Sequence, residues 1–263
     1  MINILKKICE KKNKELEITK TKYSLNSLKK LLPEKKNRNF KNLLQYSQKN
    51  KKNNIIAEIK KSSPSAGEII KNYKPENIGV QYEKSGAGAI SILTESSFFE
   101  GHVDHMSTIN RKTNLPILRK DFIIDEYQIF ESKVFKADAI LLILSILSDE
   151  KIRKFIKIAD DIGLDCIIET HDSNELKRAI KINYPLIGIN NRNLDNLSIN
   201  IDNTIKLMEN ISDNFTIIGE SGINKFSDIE SYNRSGVYNF LIGEALLTSK
   251  NIDTKFKELL NKW

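Results

Sequence analysis

Ala139-Ile-Leu-Leu-Ile-Leu144, then Asp149-Glu-Lys-Ile-Arg-Lys-Phe-Ile-Lys-Ile-Ala-Asp-Asp-Ile162, then Cys166-Ile-Ile-Glu-Thr170: the reading of these three stretches decides the fold. Two short, solidly apolar runs flank a segment whose apolar residues recur at helical spacing. Strand, helix, strand in that order implies two parallel strands joined by a helical crossover. The same alternation continues in both directions. Strands are predicted over 55–60, 89–93, 116–120, 139–144, 166–170, 186–190, 216–220 and 239–243. Helices follow them over about 76–85, 103–112, 125–136, 149–162, 172–182, 202–210, 225–235 and 252–261. Eight such units match a closed (β/α)8 barrel, the TIM barrel, in number and in size. The runs are apolar on both faces, as strands covered by helices outside and packed inside must be. An open doubly wound sheet is the alternative, but no Gly-x-Gly-x-x-Gly follows the first strand.

Residues 1 to about 50 read differently. They are rich in Lys and Asn, with apolar residues at helical spacing: Ile4, Leu5 and Ile8, then Leu25, Leu28, Leu31 and Leu32, with Pro33 as a stop. A third short helix is expected over 40–47, with Leu43 and Leu44 facing inward. This segment is too small to bury a core of its own. The expected organisation is one domain over 1–263, a helical extension (1–50) and a barrel (55–263). With the last helix running to the end at Trp263, a monofunctional chain is expected.

Bulk properties exclude several classes. Of 263 residues, 40% are apolar and 29% charged, which fits neither a disordered nor a membrane chain. The longest apolar run, 137–147, is broken by Asp138 and Ser145 and falls short of the ~20 residues a membrane helix needs. Lys6-Lys7 interrupts the N-terminus too early for a signal peptide, so a cytoplasmic location is expected. The net charge of +8 is spread over scattered pairs such as Lys35-Lys36 and Lys51-Lys52, without a nucleic-acid-binding motif. No nucleic-acid or membrane partner is expected. Cys9 and Cys166 read as structural thiols. His102-Val-Asp-His105 has no third strong ligand nearby, so no metal site is expected.

A barrel places its active site at the carboxyl ends of the strands, and there the unusual residues collect. Strand 1 ends Ala57-Glu58-Ile59-Lys60, with Glu58 and Lys60 two apart and therefore on one face. Strand 3 ends Arg119-Lys120-Asp121-Phe122, and strand 5 with Glu169. Strand 6 ends Asn190-Asn191-Arg192, strand 7 Glu220-Ser221-Gly222, and strand 8 Ile242-Gly243-Glu244. One such charge would only mark a strand emerging into water. Together they point to acid–base chemistry on a small acid, with pKa values shifted by clustering. Ser221-Gly222 and Gly243-Glu244 follow strands 7 and 8, where barrels commonly bind phosphate, with Arg192 and Lys60 able to add charge. His171 reads as a solvated residue at the exit of strand 5.

Five motifs then carry a family resemblance: Ala57-Glu-Ile-Lys-Lys-Ser-Ser-Pro-Ser65, Pro116-Ile-Leu-Arg-Lys-Asp-Phe-Ile-Ile-Asp125, Gly188-Ile-Asn-Asn-Arg-Asn-Leu194, Gly219-Glu-Ser-Gly-Ile223 and Phe240-Leu-Ile-Gly243. They resemble those of the indole-3-glycerol phosphate synthases, and the resemblance spans essentially the whole chain. It implies ring closure, decarboxylation and dehydration of 1-(2-carboxyphenylamino)-1-deoxyribulose 5-phosphate, with no metal or organic cofactor. By the same resemblance Lys120 is the general acid at the ribulose carbonyl, which requires a lysine with its pKa brought towards neutrality. Glu169 is the acid–base partner in dehydration, supported by Glu58. Lys60 binds the carboxylate, the phosphate or both; Asn190 and Ser221 orient the intermediate, with Glu220 beside them. Ser63, Arg192, Gly222 and Gly243 surround the phosphate, and Phe122 packs on the aromatic ring. Glu244 stands where some relatives carry Ser, so its side chain is expected to turn away and leave the backbone to bind. The small-molecule substrate is the one partner expected, and the chain is expected to be monomeric. The rivals are another phosphate-binding barrel, above all the isomerase of the same pathway, and a decayed barrel kept as a scaffold.

Overall fold

A computed structural model describes residues 4–193, 198–209 and 211–261; Leu194 and Trp263 lie outside them. Eight strands form a closed parallel barrel in sequence order. They are β1 (Asn54–Ile59), β2 (Ala89–Leu93), β3 (Ile117–Lys120), β4 (Ala139–Ile143), β5 (Asp165–Thr170), β6 (Leu186–Asn190), β7 (Thr216–Glu220) and β8 (Asn239–Ile242). Closure is made by β1, which pairs with β2 through Ile56–Ala89 and with β8 through Ile55–Phe240.

Alternation sorts the strand residues onto two faces. Ile55, Ala57, Ile59, Ile90, Ile92, Ile140, Leu142 and Ile168 face outward into one core shared with the helices. Ile56, Leu118, Leu141, Ile167, Ile218 and Leu241 face inward and fill the barrel. Both faces are apolar because both are covered, which is why the strands read as unbroken apolar runs.

Twelve helices are present among the described residues. The first three are α1 (Ile4–Lys22), α2 (Leu25–Lys30) and α3 (Phe40–Lys49). After the strands come α4 (Pro75–Ser85), α5 (Asp104–Asn110), α6 (Glu126–Val134), α7 (Asp149–Asp161), α8 (Ser173–Ile182), α9 (Asp202–Met208), α10 (Phe226–Arg234), α11 (Glu244–Leu247) and α12 (Ile252–Leu260). Side-chain caps start several of them. Asp125 accepts from Tyr127 N at 2.8 Å and forms a capping box with Gln128. Asp172 accepts from Asn174 N and Glu175 N at 2.8 and 2.9 Å. Two elements lie beyond the predicted pattern: α11, and a small ladder between Ser62–Ser63 and Gly67–Glu68. Both are too short to leave a periodicity.

The N-terminal helices are built into the barrel at both ends. Phe40 and Leu44 of α3 are fully buried among the inward-facing residues and plug the amino end. Below them Asn54 donates to Asn239 at 3.1 Å, and Asn239 donates to the Leu44 carbonyl at 3.1 Å. At the other end α1 lies beside the mouth. Its Lys12 is buried and pairs with Asp121 at 3.1 Å, while Leu16 packs with Leu28, Ile124, Tyr127 and Phe130. No helix among the described residues is long and apolar enough to cross a membrane.

Candidate active site

The inward column of the four odd-numbered strands continues into a charged residue at the carboxyl end: Ile56 into Glu58, Leu118 into Lys120, Ile167 into Glu169, Ile218 into Glu220. Glu58, Lys120 and Glu169 line one cavity at the barrel mouth, together with Lys60, Asn190 and Arg192, while Glu220 lies buried just behind Lys120. Lys120 Nζ is 2.9 Å from Glu220 Oε2 and 3.2 Å from Glu169 Oε2. Lys60 Nζ donates to Glu58 Oε1 at 2.6 Å. Asn190 Nδ2 donates to Glu169 Oε1 at 3.3 Å, and Ser221 Oγ donates to Asn190 Oδ1 at 2.9 Å. Lys120, Glu169, Glu220, Asn190 and Ser221 thus form one connected network, and Glu58 and Lys60 form a separate pair on the same cavity.

Two glycines make room for it. A Cβ on Gly243 would collide with Glu58 Oε1 and lie 3.0 Å from two further atoms of that side chain. A Cβ on Gly188 would collide with Glu220 Oε1 and come 3.0 Å from Ile167 Cγ2.

The electrostatics correct one expectation. Lys120 is not brought towards neutrality. Burial alone would push its pKa down, but Glu220, Glu169 and Glu58 outweigh burial and hold the proton more tightly than on an ordinary lysine. Burial would push Glu169 up; Lys120, His171 and Asn190 instead hold its carboxyl well below the usual range. Glu220 goes the other way. Burial, reinforced by repulsion from Glu169 and Glu58, pushes it up to about 7 against the pull of Lys120. Glu58 is lowered, because Lys60, Lys120 and Arg192 outweigh its burial.

Around this ring lie the predicted binding residues. Ser63, Arg192, Ser221, Gly222 and Gly243 line the same cavity. Ser221 and Gly222 both adopt positive φ, 66° and 88°, in a turn that ends before α10 begins at Phe226. The Ser-Gly pair is therefore a turn and not the start of a helix, while Gly243 directly precedes α11. Glu244 also departs from expectation: its carboxylate reaches to 3.7 Å from the Arg192 guanidinium instead of turning away. Phe122 lies 6.4 Å from Phe99, ring centre to ring centre, on an apolar wall that includes Pro64 and Leu93.

The residue patterns missed several contributors. Ile4, Leu5 and Ile8 of α1 line the mouth, as do Phe99 and Ile199. Only the fold brings these distant segments together. His171, read as solvated, is half-enclosed between two carboxylates, with Nε2 3.1 Å from Glu169 Oε1 and Nδ1 3.1 Å from Glu175 Oε2. Its signal was present: residue 171 is two beyond Glu169, the spacing that keeps one face where the chain stays extended past the strand end. His102 and His105 pack with ring centroids 6.1 Å apart, and among the described residues no group of three His, Cys, Asp or Glu could hold a metal.

Comparison with known proteins agrees with this geometry. The family model for indole-3-glycerol phosphate synthase matches residues 5–259. An indole-3-glycerol phosphate synthase of Legionella pneumophila (strain Paris) is 40% identical over 260 residues, covering 99% of each chain. One from Acetivibrio thermocellus is 45% identical over 204 residues, 78% of each chain. A third, from Prochlorococcus marinus (strain MIT 9301), is 43% identical over 266 residues, 98% of this chain and 89% of that one. Among solved structures, a thiamine phosphate pyrophosphorylase from Pyrococcus furiosus superposes with a TM-score of 0.58 at 16% identity, over 80% of this chain and 94% of that one, a likeness of fold alone. The chain belongs to the indole-3-glycerol phosphate synthase family, the decarboxylating lyases of tryptophan biosynthesis.

Proposed function

We propose a division of labour among the residues of the mouth in converting 1-(2-carboxyphenylamino)-1-deoxyribulose 5-phosphate to indole-3-glycerol phosphate, with loss of carbon dioxide and water. One observation carries it: the Lys120 ammonium, held between Glu169 and Glu220 at 3.2 and 2.9 Å, faces into the cavity from the barrel's inner wall. Lys120 is the general acid of ring closure. A lysine that holds its proton tightly is a weak acid towards water. Towards a carbonyl oxygen turning into an alkoxide it is a strong one, because that oxygen becomes far more basic than an amine as the ring closes.

Decarboxylation follows, since the cationic nitrogen formed on ring closure accepts the electron pair left by carbon dioxide. Dehydration then needs a base for one proton and an acid for the departing hydroxyl. Glu169, kept ionised by its surroundings, is the base. The support for Glu220 beside it is a carboxyl near neutrality, able to carry a proton at physiological pH. Glu58 holds Lys60 in place at 2.6 Å, and Lys60 meets the substrate's carboxylate, its phosphate or both. Asn190 and Ser221, hydrogen-bonded to each other, orient the intermediate.

Arg192, Ser63, Gly222 and Gly243 take the phosphate at one end of the cavity, and Phe122 packs on the aromatic ring at the other. Anchoring both ends bends a flexible substrate towards the closing geometry. No step calls on a metal or an organic cofactor. We also infer that the helical extension and the barrel act as a single domain, and that the enzyme works in the cytoplasm, a location favoured by its two free thiols, Cys9 and Cys166. Sedimentation would test the expectation of a monomer. The direct assay mixes purified protein with the substrate and follows indole fluorescence; folded protein that gives no signal refutes the proposal.

A further inference from the structure

His171 is a half-buried titratable side chain to which the chemistry above gives no part. Its imidazole is fixed from several elements. Nδ1 lies 3.1 Å from Glu175 Oε2 in the first turn of α8 and 3.2 Å from Ser145 Oγ, beyond β4. Ser145 Oγ also donates to Glu175 Oε1 at 2.6 Å, and the His171 backbone N–H donates to Glu175 Oε2 at 2.8 Å. Asn203 of α9 donates to the His171 carbonyl at 3.0 Å. Glu175 is itself placed by the Asp172 cap that starts α8. The remaining nitrogen, Nε2, lies 3.1 Å from Glu169 Oε1, within ion-pair distance but without the alignment of a hydrogen bond. A histidine that merely filled space would need no such clamp.

We propose that His171 is a positioning residue, a fixed cationic partner that keeps Glu169 ionised and aimed into the cavity while Lys120 gives up its proton. The inference rests on the roles proposed above for Lys120 and Glu169. In the free protein Glu169 has two cations beside it, Lys120 on Oε2 and His171 on Oε1. When Lys120 protonates the carbonyl oxygen it becomes a neutral amine. Glu169 would then face Glu220 with no ammonium beside it, and would take up a proton before the step that needs it as a base. An imidazolium held beside the opposite oxygen prevents this.

The charges around the ring favour that state. Glu169 faces it from its own strand and Glu175 from α8. Neutral Ser145 faces it from the segment after β4, where the Arg178–Asp149 pair is already satisfied internally at 2.7 Å. Lys120 on β3 and Glu220 on β7 lie beyond Glu169. Burial would lower the imidazole's pKa, but Glu169 and Glu175 outweigh it and raise it to about 10.

The test pairs a titration with kinetics. The chain has three histidines, so 15N NMR of the imidazoles, with His171→Asn for assignment, isolates this one. The imidazole should stay protonated beyond pH 8, and Glu175→Gln should bring its titration down towards neutrality. In turnover, His171→Asn should lower kcat about 10- to 100-fold with KM little changed. It should also move the acid limb of the kcat–pH profile up by about one unit, since Glu169 loses a neighbouring positive charge. Glu175→Gln should move the limb in the same direction by less, and it carries the test alone if His171→Asn does not fold. An acid limb unmoved in both variants, or an imidazole already neutral at pH 8, overturns the proposal. Wild-type protein that forms no product would instead refute the roles of Lys120 and Glu169, while the NMR titration, which needs no substrate, would still decide the charge on His171.

Discussion

Replacing Lys120 by Met removes the one ammonium that two buried carboxylates share. The Glu169 and Glu220 side chains are 3% and 1% exposed, so neither can turn to water for compensation. Removing one partner of a buried ion pair costs about 3–5 kcal/mol, because the survivor stays buried and charged. That full cost applies only while the survivors are ionised. Glu220 is already pushed up to about 7 by burial and its carboxylate neighbours, and without Lys120 it rises further. A carboxyl raised in the folded state leaves stability intact below its unfolded value, near 4.5, and lowers it as the pH climbs through the folded value. Each unit of elevation is worth about 1.4 kcal/mol. Lys120→Met should therefore be about 3–5 kcal/mol less stable than wild type at pH 8.5, with the deficit shrinking by more than about 1.4 kcal/mol at pH 5. Urea unfolding followed by circular dichroism at the two pH values measures this directly. The same variant should lose at least about 10²–10⁴ of kcat at its stable pH, the range of a general acid. Equal deficits at both pH values would refute the electrostatic argument, and substantial turnover would refute the catalytic one.

Gly188→Ala should cost about 1–3 kcal/mol by overpacking, and more in kcat than in KM, because the new methyl displaces the Glu220 carboxylate from Lys120; wild-type kinetics would show that the carboxylate moves freely. Lys12→Met should cost about 3 kcal/mol at pH 7, at the lower end for a broken buried pair, because Asp121 keeps Arg119 at 2.9 Å. Burial would raise Asp121, yet Lys12 and Arg119 hold it down at about 2, so this stabilisation is present above its unfolded value of 3.8 and is lost as the pH falls through 2; a deficit that persists in strong acid would contradict it. Arg192→Ala should raise KM about 10- to 100-fold with a smaller change in kcat, as loss of a charge-assisted contact to phosphate predicts; inorganic phosphate should inhibit the wild type more strongly than the variant, and equal inhibition would remove Arg192 from the phosphate site.

The barrel was legible because its strands obey a local rule. A strand covered on both faces must be apolar throughout, and Ala139–Ile143 is as plain a case in the sequence as in the structure. The helices between strands carry their own starting signals, such as Asp172 before α8. What could not be read locally is where the N-terminal helices go. The pattern places Leu44 on an apolar face, but that face could meet any part of the barrel; only the structure puts it against Ile56 and Leu186 as a plug. Likewise Lys12 sits in a lysine-rich helix among solvated neighbours and differs from them only because Asp121 is within reach.

The site divides along the same line. Which side chains point into the mouth follows from period two, and Glu58, Lys60, Lys120, Glu169, Asn190 and Glu220 could all be placed there from their strand positions. How those charges act on one another depends on distances that period two does not contain. Clustering was expected to loosen the proton on Lys120, as it would if the nearest neighbours were other ammonium groups. Lys60 is instead occupied by Glu58, leaving Lys120 to face Glu169 and Glu220 directly, and the shift takes the opposite sign. The consequence is mechanistic. Such a lysine gives up its proton only when the acceptor becomes more basic than the lysine itself, which ties the transfer to ring closure, and it leaves behind carboxylates that need another cation. His171, two residues beyond Glu169 and just past the end of its strand, is the residue that meets that need.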